Sequence, residues 1–206
     1  MRYLIHFVLL LSLGSAQAFA NESQVIELIV FRQSNDSLQA NRTAPDNWAN
    51  GATRVTAEMW RSTQLDLLAK KLTPDNGYQV IMHKAWLQNN DGTTAQVAIS
   101  DGHAHFQHHP IEGTLTFDLE RTSSVQLDLW INQFNPDKTL RSSERFKQKT
   151  LVVNGQVTFV DHGSLGALIR IQAQQSTAQP EQIKQTDQTQ QIQTVPAPQM
   201  HLEDFE

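Results

Sequence analysis

The chain has 206 residues, no cysteine and a formal net charge of −5. A mildly acidic chain is not typical of duplex nucleic-acid binders, which cluster Lys and Arg on one surface. The absence of cysteine excludes disulfides, thiol catalysis and cysteine metal sites, so the fold has to depend on a hydrophobic core.

Residues 1–20 have the pattern of a secretory signal peptide. Met1-Arg2 gives a cationic start, an apolar run extends from Leu4 to Leu13, and Ala18-Phe19-Ala20 gives a small-residue cleavage site. The run is shorter than the roughly 20 apolar residues that a membrane-spanning helix needs, which disfavours the alternative of a retained anchor. We therefore expect cleavage after Ala20 and a periplasmic mature protein without a membrane span.

Residues 21–171 are predicted to form a single domain, which opens with a strand and a helix. Val25–Phe31 is apolar on both faces, a pattern that favours a central strand. Beyond Arg54 the apolar residues recur at helical spacing until Pro74–Gly77 ends the pattern. The apolar face of this predicted long helix consists of Val55, Met59, Leu65, Leu68 and Leu72.

The rest of the domain predicts strands joined by tight turns. Tyr78–Gln88 is the second predicted strand, and 115–119 and 125–131 alternate between apolar and polar residues, as half-buried strands do. Asn154-Gly155 between two β-type segments predicts a hairpin. We therefore predict an α+β fold: a mainly antiparallel sheet with one long helix packed on one face. Residues 172–206, rich in Gln, Thr and Pro, predict a disordered C-terminal tail.

No catalytic motif and no phosphate-binding loop occurs in the sequence, so we expect a non-enzymatic protein without a cofactor. The one local cluster with metal-binding chemistry is a histidine run. On a strand two of its members would face the same side and could bind Zn²⁺ or Cu²⁺ together with the others. The run lacks nearby carboxylate or thiol ligands, which favours a polar hairpin arm and leaves the metal site as the alternative. The four residues are His103, His105, His108 and His109.

Two short blocks carry motif-like patterns. The first lies on the second strand and combines His83, Trp86 and Gln88. We interpret Trp86 as a core residue and His83 as half-buried. The second block ends a strand with Phe159, Asp161 and His162, and the Asp161 side chain is predicted to cap the turn that follows.

Together these blocks resemble the CsiV family of periplasmic peptidoglycan-binding proteins, which are associated with cell-shape integrity. The chain departs from the family pattern in two places. Gly163 stands where the family usually has Pro after the Asp-His pair. In place of an Arg pair before the last hairpin strand, the chain has Lys149-Thr150, with Lys147 slightly earlier. The family pattern assigns no catalytic residues.

The resemblance implies a non-enzymatic protein that binds peptidoglycan and supports wall synthesis and cell shape through wall synthases or their lipoprotein activators. Trp130, on the polar face of its strand, and Trp48, in a polar loop, are the candidate exposed rings for stacking on sugars. Lys147 and Lys149 are the candidate partners for stem-peptide carboxylates. The alternatives are a periplasmic metal-binding protein that uses the histidine run and an envelope protein-interaction module.

Overall fold

The computed structural model describes residues 23–33 and 42–174. The predicted signal peptide lies outside these residues, as does the predicted tail except for residues 172–174. The described residues form two five-stranded sheets. The first sheet has the strand order β3-β4-β1-β10-β9 and the second the order β2-β5-β6-β7-β8.

The strands are β1 Gln24–Gln33, β2 Thr53–Arg54, β3 Trp60–Arg61, β4 Tyr78–Gln88, β5 Ala95–Asp101, β6 Ile111–Phe117, β7 Thr122–Phe134, β8 Leu140–Val153, β9 Val157–His162 and β10 Leu165–Ala173. All strand pairs are antiparallel except that between β2 and β5. The helical elements are the short α-helix Asp66–Ala69 and two 3-10 turns, Ala57–Met59 and Pro74–Asn76.

The main core lies between the two sheets, and β1 contributes to it from the middle of the first sheet. Ile26, Leu28 and Val30 of β1 face the second sheet and belong to the main core. Ile29 and Phe31 point to the opposite face and pack with Leu65 in a second, smaller cluster. Burial on both faces is the reason for the uninterrupted apolar run in β1.

The predicted α+β fold with one long helix is wrong, because the segment from Arg54 to Leu72 forms two short strands, a 3-10 turn and a single short α-helix. Its apolar residues serve two separate surfaces. Val55 and Met59 pack on the main core, whereas Leu65, Leu68 and Leu72 pack on the outer face of the first sheet. The intervening Ser62-Thr63 pair has low helix propensity. Apolar residues that pack on two separate surfaces therefore recur at helical spacing in the sequence without forming one helix.

The hairpin predicted at Asn154-Gly155 is also wrong, although the turn itself forms. Gly155 has a φ of 81°, and Gln156 N–H donates to the Val153 carbonyl over 3.0 Å. The strands on either side belong to different sheets: β8 is the edge of the second and β9 the edge of the first. The turn therefore carries the chain across one edge of the sandwich.

Candidate functional site

The outer face of the second sheet, which points away from the main core, is lined by polar and charged side chains. Three residues of β8 on this face carry a positive charge. Each of them pairs with a residue of β7, and that residue pairs in turn with a residue of β6. These cross-strand rows are Glu112–Trp130–Arg145, Thr114–Asp128–Lys147 and Thr116–Gln126–Lys149. We call this set of nine residues the polar face.

Lys147 and Lys149 are the accessible cations of the polar face. Both are exposed, and 52% of the Lys147 side chain is open to solvent. Its Nζ lies 3.4 Å from Oδ2 of Asp128, whereas no ion pair or hydrogen bond joins the Lys149 side chain to another residue of the described segments. An exposed ammonium group without a partner in the fold is free to bind an anionic ligand.

Trp130 is on the outer face, as predicted, but the prediction that it is exposed is wrong. Only 4% of the residue is accessible. The guanidinium carbon of Arg145 lies 4.8 Å from the ring centroid, and its Nε and Nη2 donate to the two carboxylate oxygens of Asp128 over 2.8 and 2.7 Å. These hydrogen bonds raise the pKa of Arg145 above its ordinary value. The indole therefore supports a fixed arginine and has no open face for a sugar.

The prediction that Trp48 is exposed is wrong as well, because its polar loop folds down onto the second sheet. Trp48 is 8% accessible, its Nε1–H donates to the Gln107 carbonyl over 3.2 Å, and the Arg54 guanidinium lies 4.8 Å from its ring. The same loop is held at Ala44, whose N–H donates to Ser143 Oγ over 2.8 Å. The residues next to Trp48 in sequence do not indicate these contacts with distant segments.

We expect Trp130→Ala to lower stability, because it leaves a cavity under Arg145 and removes the surface that fixes the guanidinium. The free energy of unfolding should fall by about 3 kcal/mol, the lower end of the range for buried aromatic residues. Urea denaturation followed by circular dichroism measures this. Lys149→Ala, an exposed change on the same face, should change it by less than about 0.5 kcal/mol. Equal stability of the two variants would contradict the burial of Trp130.

The histidine run does not converge on one point. His108 Nδ1 lies 2.7 Å from Oε1 of the buried Glu112, His109 Nδ1 lies 3.1 Å from the Gly102 carbonyl, and the rings of His103 and His105 meet edge-on with centroids 5.7 Å apart. Desolvation, with a smaller contribution from the Lys138 charge, lowers the pKa of His105. Within 23–33 and 42–174, no group of three or more His, Asp or Glu residues is placed to hold a metal ion.

His83 belongs to a buried ionic cluster that the sequence reasoning missed. Glu27 is 1% accessible, and its Oε1 lies 2.8 Å from His83 Nε2. The same oxygen accepts the N–H groups of Gln64 and Leu65, while Oε2 accepts from Arg170 Nη2 over 2.8 Å. The cluster thus attaches the segment containing the short helix to the first sheet. The available signal was a single Glu inside an apolar strand, since a buried carboxylate needs partners.

Trp86 and Gln88 lie at the same end of β4. Trp86 is fully buried in the main core. Its Nε1 and the Oε1 of Gln88 are buried without a hydrogen-bond partner among the described residues. Trp86 therefore contributes to packing between the sheets, and neither residue belongs to the polar face.

Asp161 and His162 point in opposite directions at the end of β9. The His162 ring stacks on Phe146 with centroids 6.4 Å apart, and its Nδ1 lies 3.1 Å from Nε2 of Gln148. The turn cap predicted for Asp161 is wrong: the carboxylate is exposed and makes no hydrogen bond to any residue that the structure describes. The turn is instead held by Ser164, whose carbonyl accepts from Gln33 N–H and whose Oγ donates to Glu144.

None of the helices in the described part of the chain combines the length and the apolar character that a membrane crossing requires. Among known proteins, no curated protein and no solved structure matches the chain significantly. One family profile does match, and its description is "Peptidoglycan-binding protein, CsiV". The match covers residues 57–174, more than half of the chain, and contains both motif blocks and the polar face. The predicted resemblance is confirmed, and the chain belongs to the CsiV family of peptidoglycan-binding proteins.

Proposed function

We propose that this protein binds peptidoglycan in the periplasm without cleaving it, and that Lys147 and Lys149 of the polar face contact the carboxylates of the stem peptides. The observation that carries the proposal is the family match over residues 57–174, because the matching family is described as peptidoglycan-binding. The predicted signal peptide supports the location, and the absence of a recognised catalytic motif in the sequence supports a role in binding alone.

The chemistry of the polar face supports this choice of residues. Arg145 already uses Nε and Nη2 on Asp128, so its capacity to grip a further carboxylate is reduced. Lys147 and Lys149 project from the same edge strand two residues apart, and residues i and i+2 of a strand lie on one face. Two neighbouring exposed ammonium groups next to threonine and glutamine side chains suit an anionic, hydrogen-bonding polymer.

The proposal extends to the role that family resemblance implies: support of wall synthesis and cell shape, through contacts with wall synthases or their lipoprotein activators. A protein that binds peptidoglycan without cleaving it acts on wall synthesis through the place on the polymer where it is bound. Binding to the polymer is therefore the property to test first.

Sedimentation with purified, protein-free sacculi tests the proposal. We expect the mature wild-type protein to sediment with sacculi and to release no muropeptides detectable by mass spectrometry. Lys147→Ala/Lys149→Ala should weaken binding by about tenfold, because two exposed charge contacts together contribute about 1–2 kcal/mol. Added salt should also weaken wild-type binding, because it screens the contacts between exposed charges.

Lys70→Ala/Lys71→Ala is the matched control, since it removes the same charge from two adjacent exposed lysines near the short helix. It should bind sacculi as the wild type does. Equal losses in the two double variants would show that only net charge matters and would refute the assignment to the polar face. Absence of wild-type sedimentation above an inert protein would refute peptidoglycan binding and favour an interaction with another envelope protein.

A further inference from the structure

A second surface of the molecule has features of a ligand site that the polar face does not explain. Phe159 lies on β9, the edge strand of the first sheet, and 55% of it is exposed. Val157 and Asp161 lie two residues before and after it on the same strand, so their side chains share its face. This face is turned away from the main core, to which the neighbouring Val160 contributes. A single exposed apolar side chain is common on a protein surface, so what distinguishes this one is the rigid support of its ring and the polar group beside it.

The Phe159 ring is held in place from behind. It stacks on Phe31 with centroids 6.2 Å apart and an angle of 18° between the rings. Phe31 is only 2% accessible, and Tyr78 meets it edge-on with centroids 5.6 Å apart. The exposed ring is therefore the outer member of a supported aromatic row, and binding to it costs little conformational entropy.

Gly166 makes this arrangement possible. It lies opposite Phe31 on one side and Asp161 on the other. A Cβ at this position would stand 2.5 Å from Cζ of the Phe31 ring, too close for any side chain. The ring of Phe31 thus lies directly over the backbone of β10, which places it beside Phe159. Phe159 belongs to the second motif block and Gly166 follows that block closely in sequence, so this geometry gives the block a physical role.

A hydrogen-bonding group accompanies the exposed ring. Asp161 is two residues further along the same face of β9, its carboxylate is exposed, and it has no hydrogen-bond partner in the described part of the fold. A carboxylate accepts hydrogen bonds from hydroxyl groups and repels other carboxylates. Its presence favours a neutral hydroxyl-bearing ligand over an acidic stem peptide.

The exposed apolar area identifies the size of the ligand. Half of a phenylalanine side chain is on the order of 100 Å². A protein partner typically buries about 800 Å² of total surface on each side, so one ring and the flanking valine do not make a stable protein interface by themselves. One pyranose ring, with an apolar face and hydroxyl groups at its edge, matches both the area and the chemistry.

We propose that Phe159 and Asp161 form a carbohydrate subsite that binds the glycan strand of peptidoglycan. The apolar face of one sugar stacks on Phe159, and one of its hydroxyl groups donates to the Asp161 carboxylate. The inference rests on the proposed peptidoglycan binding and deepens it, because it assigns the glycan to one outer face and the stem peptide to the other.

Binding to two separated parts of peptidoglycan tests the inference. One probe is glycan strands from which an amidase has removed the stem peptides, and the other is the released stem peptide. Phe159→Ala should weaken binding to the stripped glycan by about tenfold and leave binding to the peptide unchanged. Asp161→Asn should weaken glycan binding by a smaller factor. Lys147→Ala/Lys149→Ala should show the converse pattern.

Phe106→Ala is the matched control, since it removes an even more exposed phenylalanine from the hairpin between β5 and β6. It should bind both probes as the wild type does. Phe159→Leu is a second variant that keeps apolar volume if the alanine variant loses stability, and it should also lose glycan binding. Wild-type affinity of Phe159→Leu for stripped glycan would overturn the subsite. A wild-type protein that binds sacculi but not stripped glycan would overturn it too, while failure to bind sacculi at all would refute the proposed function itself.

Discussion

Glu27→Ala should destabilise the domain by about 3–5 kcal/mol, the usual cost of removing one member of a buried ion pair. The carboxylate has 1% accessibility and accepts hydrogen bonds from two backbone N–H groups and from Arg170, with His83 Nε2 at 2.8 Å. Its loss leaves these groups buried without an acceptor. It also detaches the short-helix segment from the first sheet. For a domain of this size the midpoint of thermal unfolding should fall by about 10 °C or more.

Two further variants separate the causes of that loss. Glu27→Gln keeps one oxygen for the backbone N–H groups and removes only the charge, so it should cost less than Glu27→Ala. Glu58→Ala removes an exposed carboxylate whose one side-chain partner in the described fold is Thr56, and it should change stability by less than about 0.5 kcal/mol. A Glu27→Ala protein that unfolds at the wild-type temperature would show that this cluster does not hold the segment in place.

The Glu27 cluster also shows what limits prediction from sequence. Its partners Gln64 and Arg170 lie 37 and 143 positions away along the chain. The sequence indicated that a carboxylate inside an apolar strand is unusual, but nothing local identified the partners. Strands such as β6 and β7 were predictable, because alternation is a local pattern and one face of each is buried by the opposite sheet.

The wrong predictions share one physical cause. Segments distant in sequence cover or contact residues whose local sequence pattern predicts exposure or a different secondary structure. Trp130 shares its strand face with Asp128 and Asn132, and Trp48 lies in a polar loop, yet contacts with arginine side chains and folding of the loop bury both rings. The predicted long helix combined residues that pack on opposite sides of the first sheet. Lys147 and Lys149 were candidates through the family resemblance alone, and they are exposed on an edge strand that no distant segment of the described residues covers at this point.

Phe159 was the opposite case, an apolar member of the second motif block that was not among the predicted ligand-binding residues. The strand was predictable, but its place at the edge of a sheet depends on the whole topology. The hairpin predicted at Asn154-Gly155 would have paired this edge of the strand with the preceding strand. Because the chain crosses to the other sheet instead, Phe159 and Asp161 remain open at the edge.

Trp86→Ala is expected to have an effect of similar size, about 3–5 kcal/mol, because it empties the volume of a fully buried indole between the sheets. The ring lies opposite Ile26 on β1 and Trp60 on β3, so the cavity would adjoin three strands of the first sheet. Urea denaturation measures the loss. Lys70→Ala, on the exposed surface, serves as the control and should behave as the wild type does.

Trp86→Phe gives the sharper test of how this core is built. The indole Nε1–H is buried and has no hydrogen-bond partner among the residues that the structure describes. An unpaired buried donor costs about 1–3 kcal/mol, so its removal offsets part of the packing that phenylalanine loses. The net cost of Trp86→Phe should therefore be only about 1–2 kcal/mol, well below that of the alanine variant. If the two variants prove equally unstable, the indole N–H must contribute a hydrogen bond in solution, and its position would then be fixed by polar contact as well as by packing.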